Sequence, residues 1–410
     1  MMKILVVGGG GREHALCYSM RGNELLCAPG NPGIESLARC YPDISAESID
    51  SLVALAVDEK VDLVVVGPEV PLSLGLADQL IARKIPVFGP TREAAFIEAS
   101  KAFAKELMLE SGVPTASYKE FTSEIEARVH IENTQSPYVL KADGLAAGKG
   151  VVVAMTKEEA LSSLPQVFSV NGKLIIEEFL KGVEVSFIIA TDGERVVPLS
   201  TAHDYKRIFD NNDGPNTGGM GTVSPTPRID ISRTNELVTL VISPILKSFR
   251  ERGTPFCGFL YAGLMIDGES VKVVEYNCRM GDPEAQSILP RFEGDAAKLF
   301  YALATKGELP EVKFSKQVCV SVVLAAPGYP GEVKKGGVIE GIEFASSLKN
   351  IAIFHAGTKK NAEGQIVVNG GRVLNITGFG ENLEGARQNA YRAADMIQFA
   401  GRQIRRDIGK

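Results

Sequence analysis

The 410-residue chain has no long run of one charge sign, and its net charge of −6 leaves no basic face of the kind a general nucleic-acid binder presents. Any positive groups that bind phosphate are therefore local. The six cysteines, at positions 17, 27, 40, 257, 278 and 319, form no CxxC pair and no Cys/His cluster with zinc spacing. This argues against a zinc module and reads as reduced, mostly buried thiols. No stretch approaches the ~20 apolar residues that a membrane span needs. The apolar run after Met1 stops at once in glycines, so it does not read as a secretory signal. Only four histidines are present, and no nucleophile triad is evident. There is no internal repeat and no low-complexity tract. The expectation is a soluble cytoplasmic protein, monomer or homodimer, with neither nucleic acid nor membrane as partner.

What is present is the mix of an ordinary globular protein, 45% apolar and 23% charged, at a length that suggests about three domains. The first hundred residues alternate strand and helix. Apolar runs KILVVG at 3–8, LLCA at 25–28, VDLVVV at 61–66 and IPVF at 85–88 each end in a turn rich in glycine or proline. Continuous apolar strands alternating with helices predict a parallel sheet covered on both faces, with ligands beyond the carboxyl ends of its strands. After about residue 115 the pattern becomes α+β with antiparallel pairing: strands at 138–141, 150–154, 174–179 and 184–190, with a helix over 157–167. A long loop is expected over 201–226, then a helix near 232–252 and a hairpin of strands 258–266 and 271–276 about Asp267-Gly268. From about residue 312 the chain reads as a smaller β-rich module ending in a long helix over 384–405.

Two glycine clusters invite nucleotide motifs and fit neither well. GGGGREH at 8–14 joins strand to helix, where backbone N–H groups and the helix dipole favour a phosphate, but Glu13 stands where the dinucleotide fingerprint needs glycine. Strand two also ends in Ala28-Pro29, with no acidic residue for a cofactor ribose, so a monophosphate fits better than NAD. DGLAAGKG at 143–150 has three residues between Gly144 and Gly148 where a P-loop has four, and Gly150 replaces the magnesium-binding hydroxyl. It joins two strands instead. A glycine-rich hairpin of that kind can close over a triphosphate, giving Gly144, Gly148, Lys149 and Gly150 contact with its oxygens. An empty strand–helix turn and an empty hairpin are the plain alternatives.

EYNCR at 275–279 carries a different chemistry. On a strand, Glu275 and Asn277 face one side and Tyr276 the other. A carboxylate beside an amide oxygen suits a hard cation, Mg2+ or Mn2+, which would neutralise charge during phosphoryl transfer. Alone, the pair could equally be a polar strand edge.

Read together, GGGGREHA (8–15), APGN (28–31), VGPE (66–69), FGPT (88–91), SKAFAK (100–105), KADGLAAGKG (141–150), GPNTGGMG (214–221) and EYNCRMGDPE (275–284) resemble the phosphoribosylamine–glycine ligase family of ATP-grasp enzymes. These motifs cover roughly the first seventy per cent of the chain, in family order. The resemblance implies an N-terminal Rossmann-like α/β domain over 1–101, an ATP-grasp domain over 102–311 with a mobile lid at roughly 118–185, and a small β-rich C-terminal domain over 312–410. It implies ATP-dependent joining of glycine to 5-phosphoribosylamine, through glycyl phosphate, giving glycinamide ribonucleotide, ADP and phosphate in purine biosynthesis.

By the same resemblance, Lys105 and Lys141 contact ATP phosphates, with Lys101 a weaker candidate. The backbone of Glu177, Glu178, Phe179 and Leu180 meets adenine, and Glu184 takes the ribose. Gly10, Arg12, Glu13, Asn31, Gly33 and Glu69 belong to the phosphoribosylamine side. Asp213, Asn216, Thr217, Gly218, Gly219 and Met220 lie where glycine, γ-phosphate and amine meet. Arg279 and Asp282 are candidates for substrate contacts, and Lys206 with Arg207 for the γ-phosphate. Two departures stand out. AHDYKR at 202–207 puts His203 and Tyr205 where the family pattern differs, and Gly263 stands where many ATP-grasp proteins carry a further acidic metal ligand. Competing readings are an ATP-grasp carboxylase acting on a purine intermediate, a nicotinamide-dependent dehydrogenase and a non-catalytic nucleotide sensor. The four-glycine turn and the GPNTGGMG loop speak against the first, Glu13 and Ala28 against the second, and Glu275, Asn277 and the lysines against the third.

Overall fold

The computed structural model describes residues 1–145 and 150–410. Its first sheet is parallel, with strands in the spatial order Arg39–Cys40, Glu24–Pro29, Lys3–Gly8, Leu63–Val66, Val87–Phe88. Ile4 to Val7 and Leu63 to Val66 are almost wholly buried, because helices such as Gly11–Ser19, Ile49–Asp58 and Leu76–Ala82 cover the sheet. Each such side chain contributes about 1.5–3 kcal/mol by leaving water. Strand order reverses beside Lys3–Gly8, which pairs with Glu24–Pro29 on one edge and Leu63–Val66 on the other. That switch point opens a crevice beyond Gly8 and Val66, where the glycine turn and Glu69 lie.

Two antiparallel sheets follow. One is ordered Tyr118–Phe121, Leu174–Glu178, Tyr138–Ala142, Val151–Ala154, with helices Glu124–Asn133 and Lys157–Phe168. It packs into a core of its own, with residues such as Phe121, Leu140, Leu164 and Ile176. The other is ordered Val196–Pro198, Val183–Thr191, Gly258–Asp267, Ser270–Asn277. Its inner face, through Phe187, Leu260 and Val273, joins the core of the parallel sheet. The first antiparallel sheet is thus a separately packed lobe, whereas the second is fused to the N-terminal part. Among the described residues no helix is long and apolar enough to cross a membrane, and all six cysteines are free.

Three sequence expectations need correction. The segment 201–226 is not one loop: it holds strands His203–Asp204, Arg207–Phe209, Asp213–Asn216 and Gly221–Ser224. The first and last of these join the C-terminal sheet, ordered His203–Asp204, Gly221–Ser224, Val318–Ala325, Arg372–Gly380, Ile351–His355. A strand of GTVS has little local signal; its partner lies about a hundred residues on, and context decides such cases. The helix expected over 232–252 is interrupted by a wide π turn at Val238–Ile242 before Ser243–Glu251. Pro244 has no N–H for a regular ladder there. The last helix is Leu383–Met396 only. Arg402 donates to the carbonyl of Ala394 at 2.6 Å, closing the helix end, and Gly401 then turns the chain with φ +68°.

Candidate active site

The helix Gly11–Ser19 begins inside the glycine turn because Glu13 reaches back to accept the Gly10 N–H at 2.6 Å. A side chain at Gly67 would begin 2.1 Å from Glu13 Oε1, and one at Gly8 2.6 Å from Glu13 Cγ, so these glycines make room for that carboxylate. Glu13 also takes Arg12 Nε at 2.7 Å and is 2% exposed. Its carboxylate thus builds the turn and aims Arg12.

Asn31 is likewise committed. Its Nδ2 donates to Gly9 O and His355 O, each at 2.9 Å, and its Oδ1 accepts from Gly33 N and Ile34 N at 2.9 and 3.1 Å. Gly33 packs where any side chain would meet His14 and His355. His355 is buried as a packing residue, and its backbone N–H donates to His14 Nδ1 at 2.9 Å. Asn31 thus ties the second strand's turn to the C-terminal sheet, and no polar atom of its side chain is left for a ligand.

Beyond the turn a chain of charges crosses from the N-terminal sheet to the strand Ser270–Asn277. Arg279 reaches Glu98 at 2.8 Å and Glu69 at 3.3 Å, and Arg12 lies 4.0 Å from Glu69. Burial would raise Glu69, but Arg279 and Arg12 hold it down to about 2. Burial wins at Glu98, whose carboxyl is raised despite Arg279. Asp282 follows: burial opposes its ionisation, yet Arg372 and then Arg12 keep it below the usual carboxylate range.

The lysines form a second group. Glu177, 4% exposed, lies between Lys105 (3.2 Å to Oε2) and Lys141 (2.9 Å to Oε1). Lys105 also donates to Thr115 Oγ1 at 2.7 Å, and Lys141 to Val274 O at 3.1 Å. Burial, against Glu177 and with Lys141, lowers Lys105 to about 8. Lys101 donates to Gly144 O at 2.8 Å, the base of the glycine hairpin. Gly150 is described and buried; Gly148 and Lys149 lie outside the described residues. Glu178 is exposed and pairs with Lys272 at 2.7 Å, while Phe179 and Leu180 are half-buried past the strand end. Glu184 pairs with Lys206, so the expected ribose carboxylate and one expected phosphate cation neutralise each other in this arrangement.

Glu275 stands among these cations. Its carboxylate has no hydrogen bond or ion pair within 4 Å among the described residues. Burial pushes it up, but Lys206, Lys141, Lys101 and Arg279 together bring it below the usual range. Asn277 faces the same side of the strand, its Oδ1 meeting Arg279 Nη2 at 3.3 Å. An unbonded carboxylate and an amide oxygen form an all-oxygen donor set that fits a hard divalent cation. Gly263 lies opposite Glu275 on the neighbouring strand and adds no third ligand.

The GPNTGGMG loop meets this region from the other side. Thr217 bonds the Lys206 carbonyl through N–H and hydroxyl, both at 2.8 Å, and accepts from Gly219 N at 2.9 Å. The Met220 side chain is wholly buried against Ile208, Val323 and Ala325, and so anchors the loop. Asp213, Asn216 and Arg207 form the hairpin next to the loop. Asp213 is exposed at its start, and Arg207 donates to Gly214 O at 2.7 Å. No hydrogen bond or ion pair among the described residues links these three to Glu275. His203 and Tyr205 are buried.

Sequence reasoning missed Arg372, Tyr329 and Asp204. Arg372 grips Gly218 O and Asp282, and Tyr329 takes the Gly218 N–H at 2.9 Å. Both come from the last hundred residues, where motifs are weak; GGR at 370–372 was the available signal. Asp204 lies beneath Gly219, with a buried Oδ1 that has no hydrogen-bond partner among the described residues.

Three family models match the chain: phosphoribosylglycinamide synthetase N domain at residues 2–98, its ATP-grasp (A) domain at 99–285 and its C domain at 319–410. A phosphoribosylamine–glycine ligase of Vibrio vulnificus is 44% identical, covering 100% of this chain and 98% of the relative. The chloroplastic phosphoribosylamine–glycine ligase of Arabidopsis thaliana is 44% identical over 97% of this chain and 78% of its own length. Among solved structures, phosphoribosylamine–glycine ligase from Thermotoga maritima superposes with a TM-score of 0.85 at 33% identity, covering 99% and 100% of the two chains. A biotin carboxylase domain from Hydrogenobacter thermophilus shares the fold, with a TM-score of 0.75 at 16% identity over 98% and 92%.

Proposed function

Because the chain belongs to the phosphoribosylglycinamide synthetase family and is an ATP-dependent ligase joining glycine to 5-phosphoribosylamine in purine biosynthesis, we propose that it works through glycyl phosphate. One observation carries this reading: the unbonded Glu275 carboxylate among Lys101, Lys141, Lys206 and Arg279. A site built to move a phosphoryl group needs cations for the phosphates and a carboxylate for their metal. In the first step a glycine carboxylate oxygen attacks the γ-phosphorus, and the bond to ADP breaks. In the second the amine nitrogen attacks the acyl carbon; a C–N bond forms, the C–O bond to phosphate breaks, and the nitrogen gives up a proton.

Lys105 and Lys141 meet the ATP phosphates, exchanging part of their contact with Glu177 for phosphate oxygens. Lys101 fixes the base of the hairpin over them. The backbone at 177–180 receives adenine, and Glu184 takes the ribose once Lys206 turns to the γ-phosphate. Glu275 and Asn277 hold the divalent cation, Mg2+ or Mn2+, which when bound neutralises phosphate charge. Gly10, Arg12 and Glu69 form the phosphoribosylamine side, where helix N-terminus and guanidinium suit a phosphate. Arg279 and Asp282 border both substrates. Asp213, Asn216 and Arg207 orient the loop that carries Thr217, Gly218 and Gly219. Water exclusion matters because glycyl phosphate hydrolyses; the lobe over 118–185, with its separate core, serves as the lid. The chain divides on this reading into 1–101, 102–311 and 312–410, with strands from 203–224 contributing to the last part's sheet.

The test is isotopic. Glycine labelled with 18O in its carboxylate delivers one labelled oxygen to inorganic phosphate if glycyl phosphate forms. Unlabelled phosphate, with glycinamide ribonucleotide made at the normal rate, would overturn the intermediate.

A further inference from the structure

Arg372 opens the C-terminal strand Arg372–Gly380, yet its side chain leaves that sheet altogether. Nη1 donates to the Gly218 carbonyl and to the Asp282 carbonyl, the latter at 2.6 Å, and Nη2 lies 3.0 Å from Asp282 Oδ2. Asp282 is held from its other oxygen by Gln286 Nε2 at 2.7 Å. Tyr329, also C-terminal, accepts the Gly218 N–H, so both backbone groups of Gly218 are held by this part of the chain. On the far side, a side chain at Gly10 would begin 4.0 Å from Asp282 Oδ2 and 2.9 Å from Glu13 Oε2. One guanidinium therefore bridges the acyl-transfer loop and the carboxylate that borders the N-terminal glycine turn. Any side chain at Gly218 would begin 3.1 Å from the guanidinium carbon, so glycine permits this close approach.

We propose that Arg372 is a positioning residue for the second step, setting the phosphoribosylamine turn at Gly10 against the loop that presents the glycyl group. This rests on the glycyl phosphate reading. The two steps have different geometric needs. Phosphoryl transfer joins ATP to glycine, and among the described residues the lysines and Glu275 that serve it form no hydrogen bond or ion pair with Arg372. Acyl transfer requires a nucleophile held by one part of the chain to reach a carbon held by another, and misplacement by about 1 Å costs on the order of 100-fold. Arg372 is where those parts are tied.

The experiment compares wild type with Arg372→Gln, Arg372→Lys and Tyr329→Phe as full chains. Glycyl phosphate formation is read without phosphoribosylamine, by hydroxylamine trapping as glycine hydroxamate. The complete reaction is read as glycinamide ribonucleotide. Arg372→Gln is expected to keep the trapping rate and the KM for ATP within about threefold while product formation falls on the order of 100-fold. ADP release then exceeds product, and Arg372→Lys recovers part of the coupling. Equal loss of trapping and product, or no loss of either, overturns the proposal. Absence of hydroxamate from the wild type would instead overturn the intermediate. Arg372 is then judged by kcat for product against KM for ATP in the same variants, and parallel changes in both count against it.

Discussion

Lys141 Nζ lies 2.9 Å from Glu177 Oε1, with both side chains about 95% removed from solvent. Lys105 shares the same carboxylate, so one negative charge serves two cations in a dry setting. Removing the carboxylate leaves buried charge uncompensated, at a cost of about 3–5 kcal/mol. Glu177→Gln is therefore expected to lower the melting temperature markedly, and ATP to stabilise the variant by more than it stabilises wild type. Calorimetry with and without ATP checks this; an ATP increment no larger than in wild type would remove Glu177 as the stand-in for phosphate.

The depressed Lys105 gives ATP binding a pH signature. With its pKa at about 8 when folded, the ammonium is charged at pH 7 and largely neutral at pH 9. Phosphate oxygens favour the charged form, so binding at pH 9 should take up close to one proton, and affinity should fall as pH rises through 8. The stability term runs the other way. The unfolded lysine stays protonated to about 10.4, so burying Lys105 is disfavoured below pH 8 and relieved between 8 and 10.4. Titration calorimetry in buffers of different ionisation enthalpy measures the proton uptake; zero uptake at pH 9 would refute it.

Glu275→Gln keeps the strand and the fold but loses the anionic ligand among the lysines. Turnover should drop by about 100-fold or more, with the melting temperature little changed. Near-normal turnover at saturating Mg2+ would reassign Glu275 as a strand-edge group.

Buried histidines set the acid limit. Burial lowers His14 and His203 to about 3 and His355 to about 4. Unfolded histidines protonate near 6.5, so the stability they confer when neutral is complete above that pH. It is lost as pH falls from 6.5 towards 4, by up to about 1.4 kcal/mol per unit for each histidine. Urea midpoints at pH 7, 6 and 5 should decline with a slope that flattens when His203 is replaced by Gln. An unchanged slope would show that His203 is protonated without cost.

Much of this site was legible because its chemistry is local in sequence. The GGGGREH turn, the strand-end pair Glu275 and Asn277, Lys101 and Lys105 on one helix, and Lys141 on its strand are each conspicuous within a few residues. What was illegible depends on partners far apart. Glu13 and Asn31 sit inside conspicuous motifs, but only tertiary contacts reveal that their polar atoms are spent within the protein. Met220 stands in a conspicuous loop motif, but its burial depends on Val323, about a hundred residues on. Arg372 stands in no striking motif, and its target, Gly218, is 154 residues away. The strand Gly221–Ser224 likewise exists only because Val318–Ala325 offers it an edge.

That borrowed edge has a consequence for how the chain survives cutting. Ser224 and Cys319 are neighbours across one ladder, so the whole stretch between them is a single excursion from that sheet. A nick within the excursion would separate the chain into two pieces that still share a sheet and an apolar cluster containing Tyr205, Val223, Val320 and Ile408. Such pieces would copurify as a non-covalent pair, and neither expressed alone would have a complete C-terminal sheet.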